Sequence, residues 1–186
     1  DQPTYGPLHL RAFLDLIGFP PSPDEAEMFL NDPSPLAYER MIDRLLASPY
    51  FGQRWSRHWL DAAGYVDTIG DDTDATIAKV AKGKWRFRDY VVDSFNADKP
   101  FNRFVIEQIA GDELVDWRSA EIFTPAIREF LTATTFLRSA ADETLQNELN
   151  TADIRHEVLQ RTMEVTVNNL LGLTIKCARC HSHKYD

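Results

Sequence analysis

An all-α fold is the reading this sequence supports, and three observations carry it. Apolar residues recur at three- and four-residue spacing in nearly every segment. Ser-Pro pairs, the signature of a helix start, precede two of those segments. No stretch alternates apolar and polar residues in the manner of a half-buried strand. The 186 residues, 44% hydrophobic and 26% charged, are enough for one irregular multi-helix domain with a sizeable core, spanning residues 1–186.

The elements follow in order. In PLHLRAFLDLIGF, Leu8, Ala12, Leu16 and Phe19 fall on one helical face. PPSPDEAEMFL opens a second helix, with Ser22 as N-cap, Pro23 at the first helical position and acidic residues in the first turn. NDPSPLAYERMIDRLLASP repeats the signal, Ser34 before Pro35, with an apolar stripe through Leu36, Met41, Leu45 and Leu46 that Pro49 ends. YFGQRWSRHWLDAAGYVD is a further, aromatic-rich helix, and the polar, glycine-bearing residues 68–84 are expected as an exposed loop. WRFRDYVVDSFNADKPFNRFVIEQIAGDEL gives two helices broken near Asp98–Pro100 and ended by Gly111. AIREFLTATTFLR is a further helix. The longest, from about Thr151 to Ile175, spreads Ile154, Val158, Leu159, Met163, Val165, Leu170, Leu171 and Leu173 over a broad apolar face, as in a central, mostly buried helix.

The formal charge of −9 argues against a phosphate-backbone partner, although it leaves room for a local basic patch. No apolar run reaches the length of a membrane span. KWRFRDY, Lys84 to Tyr90, is basic and aromatic and is expected to make internal Arg–carboxylate and cation–π contacts. Asp67, Asp71, Asp72 and Asp74 crowd one segment but miss the EF-hand spacing, so a solvated acidic loop is expected. Asp112 and Glu113 have no partner at an acid–base spacing, and the common hydrolase and nucleotide-binding motifs are absent.

The chemistry concentrates in KCARCHSHKYD, which holds both cysteines of the chain, Cys177 and Cys180, with His181 directly behind them. Three readings stay open. A c-type haem needs two thiols to add to its two vinyl groups and an imidazole to meet the iron, and Cys177, Cys180 and His181 supply that set. A zinc site would use the cysteines with His181 or His183 and needs further ligands from elsewhere, because there is no second cysteine pair. A redox dithiol would lack the βαβ setting in which such pairs sit. The plain alternative is a pair of inert thiols beside an incidental histidine.

Three long segments, DLIGFPPSPDEAEMFLNDPSPLAYERMIDRLLASPYFGQRWSRHWLD, WRFRDYVVDSFNADKPFNRFVIEQIAGDEL and LLGLTIKCARCHSHKYD, together resemble the cytochrome-associated domain of unknown function from large secreted planctomycete proteins. The resemblance covers nearly the whole chain. It implies haem c and electron transfer, a periplasmic or secreted location, and a redox partner protein or an adjacent cytochrome domain as partner. It also implies that the chain is an excised part of a larger multidomain protein. In an ordinary small cytochrome c the motif comes early; here 176 residues precede Cys177, so a different fold is expected.

On the haem reading, His181 is the proximal ligand and reach limits the second. His183 is two residues on, roughly 7 Å of backbone, too short to round the porphyrin edge. Met163 and His156 would lie roughly 20 and 30 Å back if the last helix ran unbroken to Cys177. His9, Met28, Met41 and His58 remain within the chain. His58 is the favoured one, with Trp55 and Trp59 as haem walls and Arg54 and Arg57 to pair with the propionates. His183 then serves as a hydrogen-bonding neighbour. A five-coordinate iron, or a ligand from outside these residues, stays open. The alternatives to an electron carrier are a haem enzyme acting on peroxide or a small ligand, and a zinc-binding or adaptor module of a larger secreted enzyme.

Overall fold

A computed structural model describes residues 5–70, 78–140, 142 and 151–182. Among them the fold is all-α, as expected: α1 (Tyr5–Leu16), α2 (Pro23–Leu30), α3 (Ala37–Leu46), α4 (Pro49–Ala62), α5 (Trp85–Asn96), α6 (Phe101–Ala110), α7 (Pro125–Ala133) and α8 (Ala152–Leu171). Short 3₁₀ turns follow α6, α7 and α8. The chain divides into two compact units, one of Asp1–Arg57 with Val91–Lys99, the other of His58–Tyr90 with Pro100–Asp186.

In the first unit, Ala12, Phe13 and Ile17 from α1 and its end pack with Met41 and Leu45 of α3, all buried. Burying a side chain such as Phe13 contributes about 1.5–3 kcal/mol. Helix α2 starts as read. Ser22 accepts the Glu25 backbone N–H, and the Ser22 backbone N–H donates to Glu25 Oε2 at 2.9 Å, closing a capping box around Pro23. Helix α3 starts later than Ser34, because the Leu36 N–H binds Ser34 Oγ at 3.2 Å and residues 35–36 form a turn. Pro49 does more than end α3; it is the first residue of α4, where its missing N–H costs nothing. Gly52 lets the chains approach closely here. A Cβ on it would lie 2.5 Å from the Val92 carbonyl, and its N–H donates to Asn96 Oδ1 at 2.7 Å.

The second unit has an aromatic core. Phe87, Tyr90, Phe104 and Phe136 are buried, with Tyr90 parallel to Phe104 and Trp59 stacked on Phe136. Several of its buried polar groups are paired. Tyr90 donates to Glu107, Arg103 donates to the same carboxylate, and Gln108 bridges the Trp59 indole N–H and the Phe104 carbonyl. Ser139 anchors the turn after α7 by donating to the Ala63 carbonyl at 2.7 Å. Thr124 caps α7 through the Ile127 N–H, with Pro125 at its first position, a Thr-Pro start equivalent to the Ser-Pro ones.

Two expectations change. The 68–84 segment is not all loop: β1 (Thr68–Gly70) pairs antiparallel with β2 (Ala78–Val80), Ile69 opposite Lys79. Strands of three residues are too short to show alternation, so their pairing had no sequence signal. Helix α8 is not a buried central helix. Only Val158 is buried, while Leu159 and Leu171 are each 66% exposed and Met163 is 57% exposed. The helix also stops earlier, at Leu171, where Gly172 takes the left-handed conformation at φ 67°. That conformation suits glycine and ends a helix by turning the chain away.

Candidate functional site

Past Gly172 the chain runs without regular structure to a single 3₁₀ turn, Lys176–Arg179. The turn is held by Ala178 N–H to the Ile175 carbonyl at 2.9 Å and Cys180 N–H to the Cys177 carbonyl at 3.3 Å. In a 3₁₀ turn residues three apart stand nearly one above the other. Cys177 and Cys180 therefore share a side of the turn, and both are exposed, unpaired thiols.

His181 follows directly, exposed, with Nδ1 at 2.8 Å from the Ser182 carbonyl oxygen. A carbonyl only accepts, so Nδ1 is the nitrogen that carries the proton. With Nδ1 engaged, Nε2 is the ring nitrogen that would meet a metal. The donor set fits the haem reading: two accessible thiols three residues apart and an exposed imidazole directly after them. Among the described residues no three His, Cys, Asp or Glu side chains gather closely enough to hold a metal ion by themselves. His183, the further ligand considered for zinc and the expected neighbour of the haem, lies outside the described residues, as do Asp71, Asp72 and Asp74.

The helix leading to the motif is tied to α4. Asn169 Nδ2 donates to the Ala62 carbonyl at 2.8 Å and, also at 2.8 Å, to Val165 of its own helix. Ala62 is the last residue of α4, and His58 lies one turn before it on the same face, exposed. The end of α8 and the His58 turn of α4 are thereby fastened together.

The remaining candidates divide by position. Trp59 is committed to packing, at 5.0 Å from Phe104 and 5.6 Å from Phe136, with its indole N–H donated to Gln108 at 2.8 Å. Trp55 lies against Phe51, and Arg54 lays its side chain over Gly18 with its Nε buried and without a hydrogen-bond partner; both belong to the first unit. Arg57 is exposed. Helical spacing puts Arg54, Arg57 and His58 on one face and Trp55 with Trp59 on another. Of the other ligands considered, Met41 is buried in the first core, His9 is buried beside Phe29, and the exposed Met28 sulfur accepts from Arg44. The reach that set Met163 aside assumed an unbroken helix. With α8 ending at Leu171, Met163 lies about 12 Å from the helix end, and the irregular residues after Gly172 remove the obstacle to a return.

Sequence reading passed over two features. Asn169 carries no motif, and the Nδ1 contact of His181 depends on a backbone carbonyl that residue types do not encode. A groove of about 790 Å³ beside the first half of α8, lined by Trp117, Leu137, Arg155 and Leu159 among others, includes none of the candidate residues.

Fold and motif together define a class: an all-α chain with a surface turn that pairs two thiols with an imidazole. Residues 6–186 match PSCyt2, described as a protein of unknown function (DUF1549), and the chain belongs to that family. No curated protein and no solved structure matches it.

Proposed function

We propose that this chain is a c-type haem-binding domain working in electron transfer, exported to the periplasm or secreted. The observation that carries the proposal is the Cys177–His181 turn, with two exposed thiols and, directly after them, an exposed imidazole whose Nδ1 is engaged by the Ser182 carbonyl. Cys177 and Cys180 would hold the haem covalently through thioether bonds, and the His181 imidazole would bind its iron. The bound haem supplies a one-electron couple. The protein's share is to anchor it and to fix the imidazole proton on Nδ1.

His58 is the favoured second ligand, supported by the Asn169 bond that fastens its turn of α4 to the helix leading into the motif. Trp59, spent in the aromatic core, stiffens that turn instead of walling the haem. A redox partner protein or an adjacent cytochrome domain exchanges the electron.

Intact-protein mass spectrometry of chain matured in an export-competent host is the test. The expected result is one covalent haem, retained after acid–acetone extraction, and a single thioether link in Cys177→Ala. Protein matured in that way without added haem mass overturns the proposal. The reduced spectrum with carbon monoxide then separates a carrier from a haem enzyme, because rapid binding marks an open iron side. His58→Ala, compared with Met163→Ala, identifies the second ligand by which variant alters that spectrum.

A further inference from the structure

The second unit carries a concave basic groove that the haem reading does not use. It has a volume of about 560 Å³ and is lined by Lys82, Lys84 and Arg86 at the start of α5 and by Arg128, Thr132 and Thr135 of α7 and the turn after it. Among the described residues no carboxylate lines it. In a chain with a formal charge of −9, four cations around one hollow form a strong local reversal of sign.

The individual side chains are available for a ligand. Arg86 is held over the Trp85 ring at 5.5 Å, a contact that orients its guanidinium without neutralising it. Arg88, the next arginine along, is by contrast paired with Asp89. Arg128 is exposed and makes no ion pair among the described residues. Lys84 is only 9% exposed, and its ammonium donates to the Ser139 carbonyl at 3.1 Å and the Ala140 carbonyl at 2.9 Å. An ammonium has three N–H groups, and these two carbonyls take two of them among the described residues. Burial sets the Lys84 pKa below its ordinary value, an effect that the nearby Asp142, itself paired with Arg138, offsets only in part. Helix α5 begins at Trp85 without an acidic residue in its first turn, so its positive end is not offset there.

We propose that this groove binds a small molecule through a tetrahedral oxyanion, a phosphate or sulfate ester, with Arg86 and Arg128 as the paired forks and the Thr132 and Thr135 hydroxyls completing the donors. Guanidinium forks match the oxygen spacing of such groups. The volume exceeds that of the oxyanion alone and leaves room for the body that carries it.

The test is an NMR titration of the full chain at constant ionic strength, with glucose 6-phosphate, glucose 6-sulfate, inorganic phosphate and sodium acetate as probes. Expected are saturable shifts at the Lys82–Trp85 and Thr132–Thr135 amides with at least one ester. Arg128→Ala and Arg86→Ala should each weaken binding roughly tenfold or more, with Arg118→Ala, outside the groove, leaving it unchanged. Preference for one ester identifies whether phosphate or sulfate is the natural group, and equal binding supports recognition of the shared tetrahedral geometry. Linear, unsaturable shifts overturn the proposal, as does acetate binding as tightly as the esters or affinity undisturbed in both arginine variants. Far-UV circular dichroism of the variants confirms that a loss of binding is not a loss of fold. None of these outcomes depends on haem, so the result stands apart from the electron-transfer reading.

Discussion

Glu25 shows how one side chain makes a helix start depend on pH. The backbone N–H of Ser22 is the largest cause holding its carboxylate below the ordinary value of 4.5; burial opposes it, and the Ser22 hydroxyl and Arg44 add to the lowering. A carboxylate whose folded pKa is depressed adds stability that is full above the unfolded value and is lost as pH falls through the folded one. The start of α2 should therefore loosen below pH 4.5. We expect the Ser22 amide to lose protection against hydrogen exchange over that acid range, and Glu25→Gln to flatten the dependence. An acid limb of equal steepness in wild type and variant would refute the coupling. Both members of this box were legible as residue types, Ser22 before Pro23 with Glu25 three on. Gln108 was not, because it acts by joining Trp59 to Phe104, and its partner Trp59 is remote in sequence. The same limit applies at the candidate site: Cys177, Cys180 and His181 declare themselves by spacing, whereas the His181–Ser182 contact needs coordinates.

At the scale of elements, period told which segments are helical but not what covers them. The broad apolar face of α8 suggested burial on all sides, yet Leu159, Met163 and Leu171 remain open. What secures α8 is a few polar bonds: Thr162 Oγ1 to the Leu137 carbonyl at 2.9 Å and Asn169 to the Ala62 carbonyl at 2.8 Å. Ala62 ends α4, and the last carbonyls of a helix lack partners within it, so Asn169 serves as a cap supplied by another helix. Asn169→Ala should cost about 1 kcal/mol, read as a lower urea midpoint at unchanged slope. On the haem reading, the same variant should also broaden or shift the visible spectrum of the reduced protein, because His58 shares the end of α4 that Asn169 holds. An unchanged midpoint would mean that solvent replaces the amide without cost. The basic groove was hidden for a similar reason. KWRFRDY was read as internally paired, which holds for Arg88 with Asp89, but Arg128 comes to Lys82, Lys84 and Arg86 only through the packing of α7.

For the whole molecule, the division into two units cuts through two helices, and those two cuts bear on how the chain unfolds. Helix α4 has Pro49–Arg57 in one unit and His58–Ala62 in the other, and α5 passes back with Trp85–Tyr90 in the second and Val91–Asn96 in the first. A linear reading has no signal for these two cuts, since neither glycine, proline nor a change of composition marks residues 57–58 or 90–91, whereas the third crossing, Lys99–Pro100, falls at the proline break the sequence shows. Helix formation is cooperative, so melting one unit would leave α4 and α5 cut mid-helix, with unpaired N–H and C=O groups at both breaks. The first unit cannot be completed by Asp1–Arg57 alone either, because Asn96 holds Gly52 and the buried Val91 belongs to it. We therefore expect one unfolding transition. In a urea titration, the native amide signals of Phe13 and Met41 should disappear with the same midpoint as those of Phe104 and Phe136, coincident with far-UV circular dichroism. Loss of the Phe13 and Met41 signals at distinctly lower urea, with Phe104 and Phe136 still native, would mean that the shared helices break between the units and do not couple them.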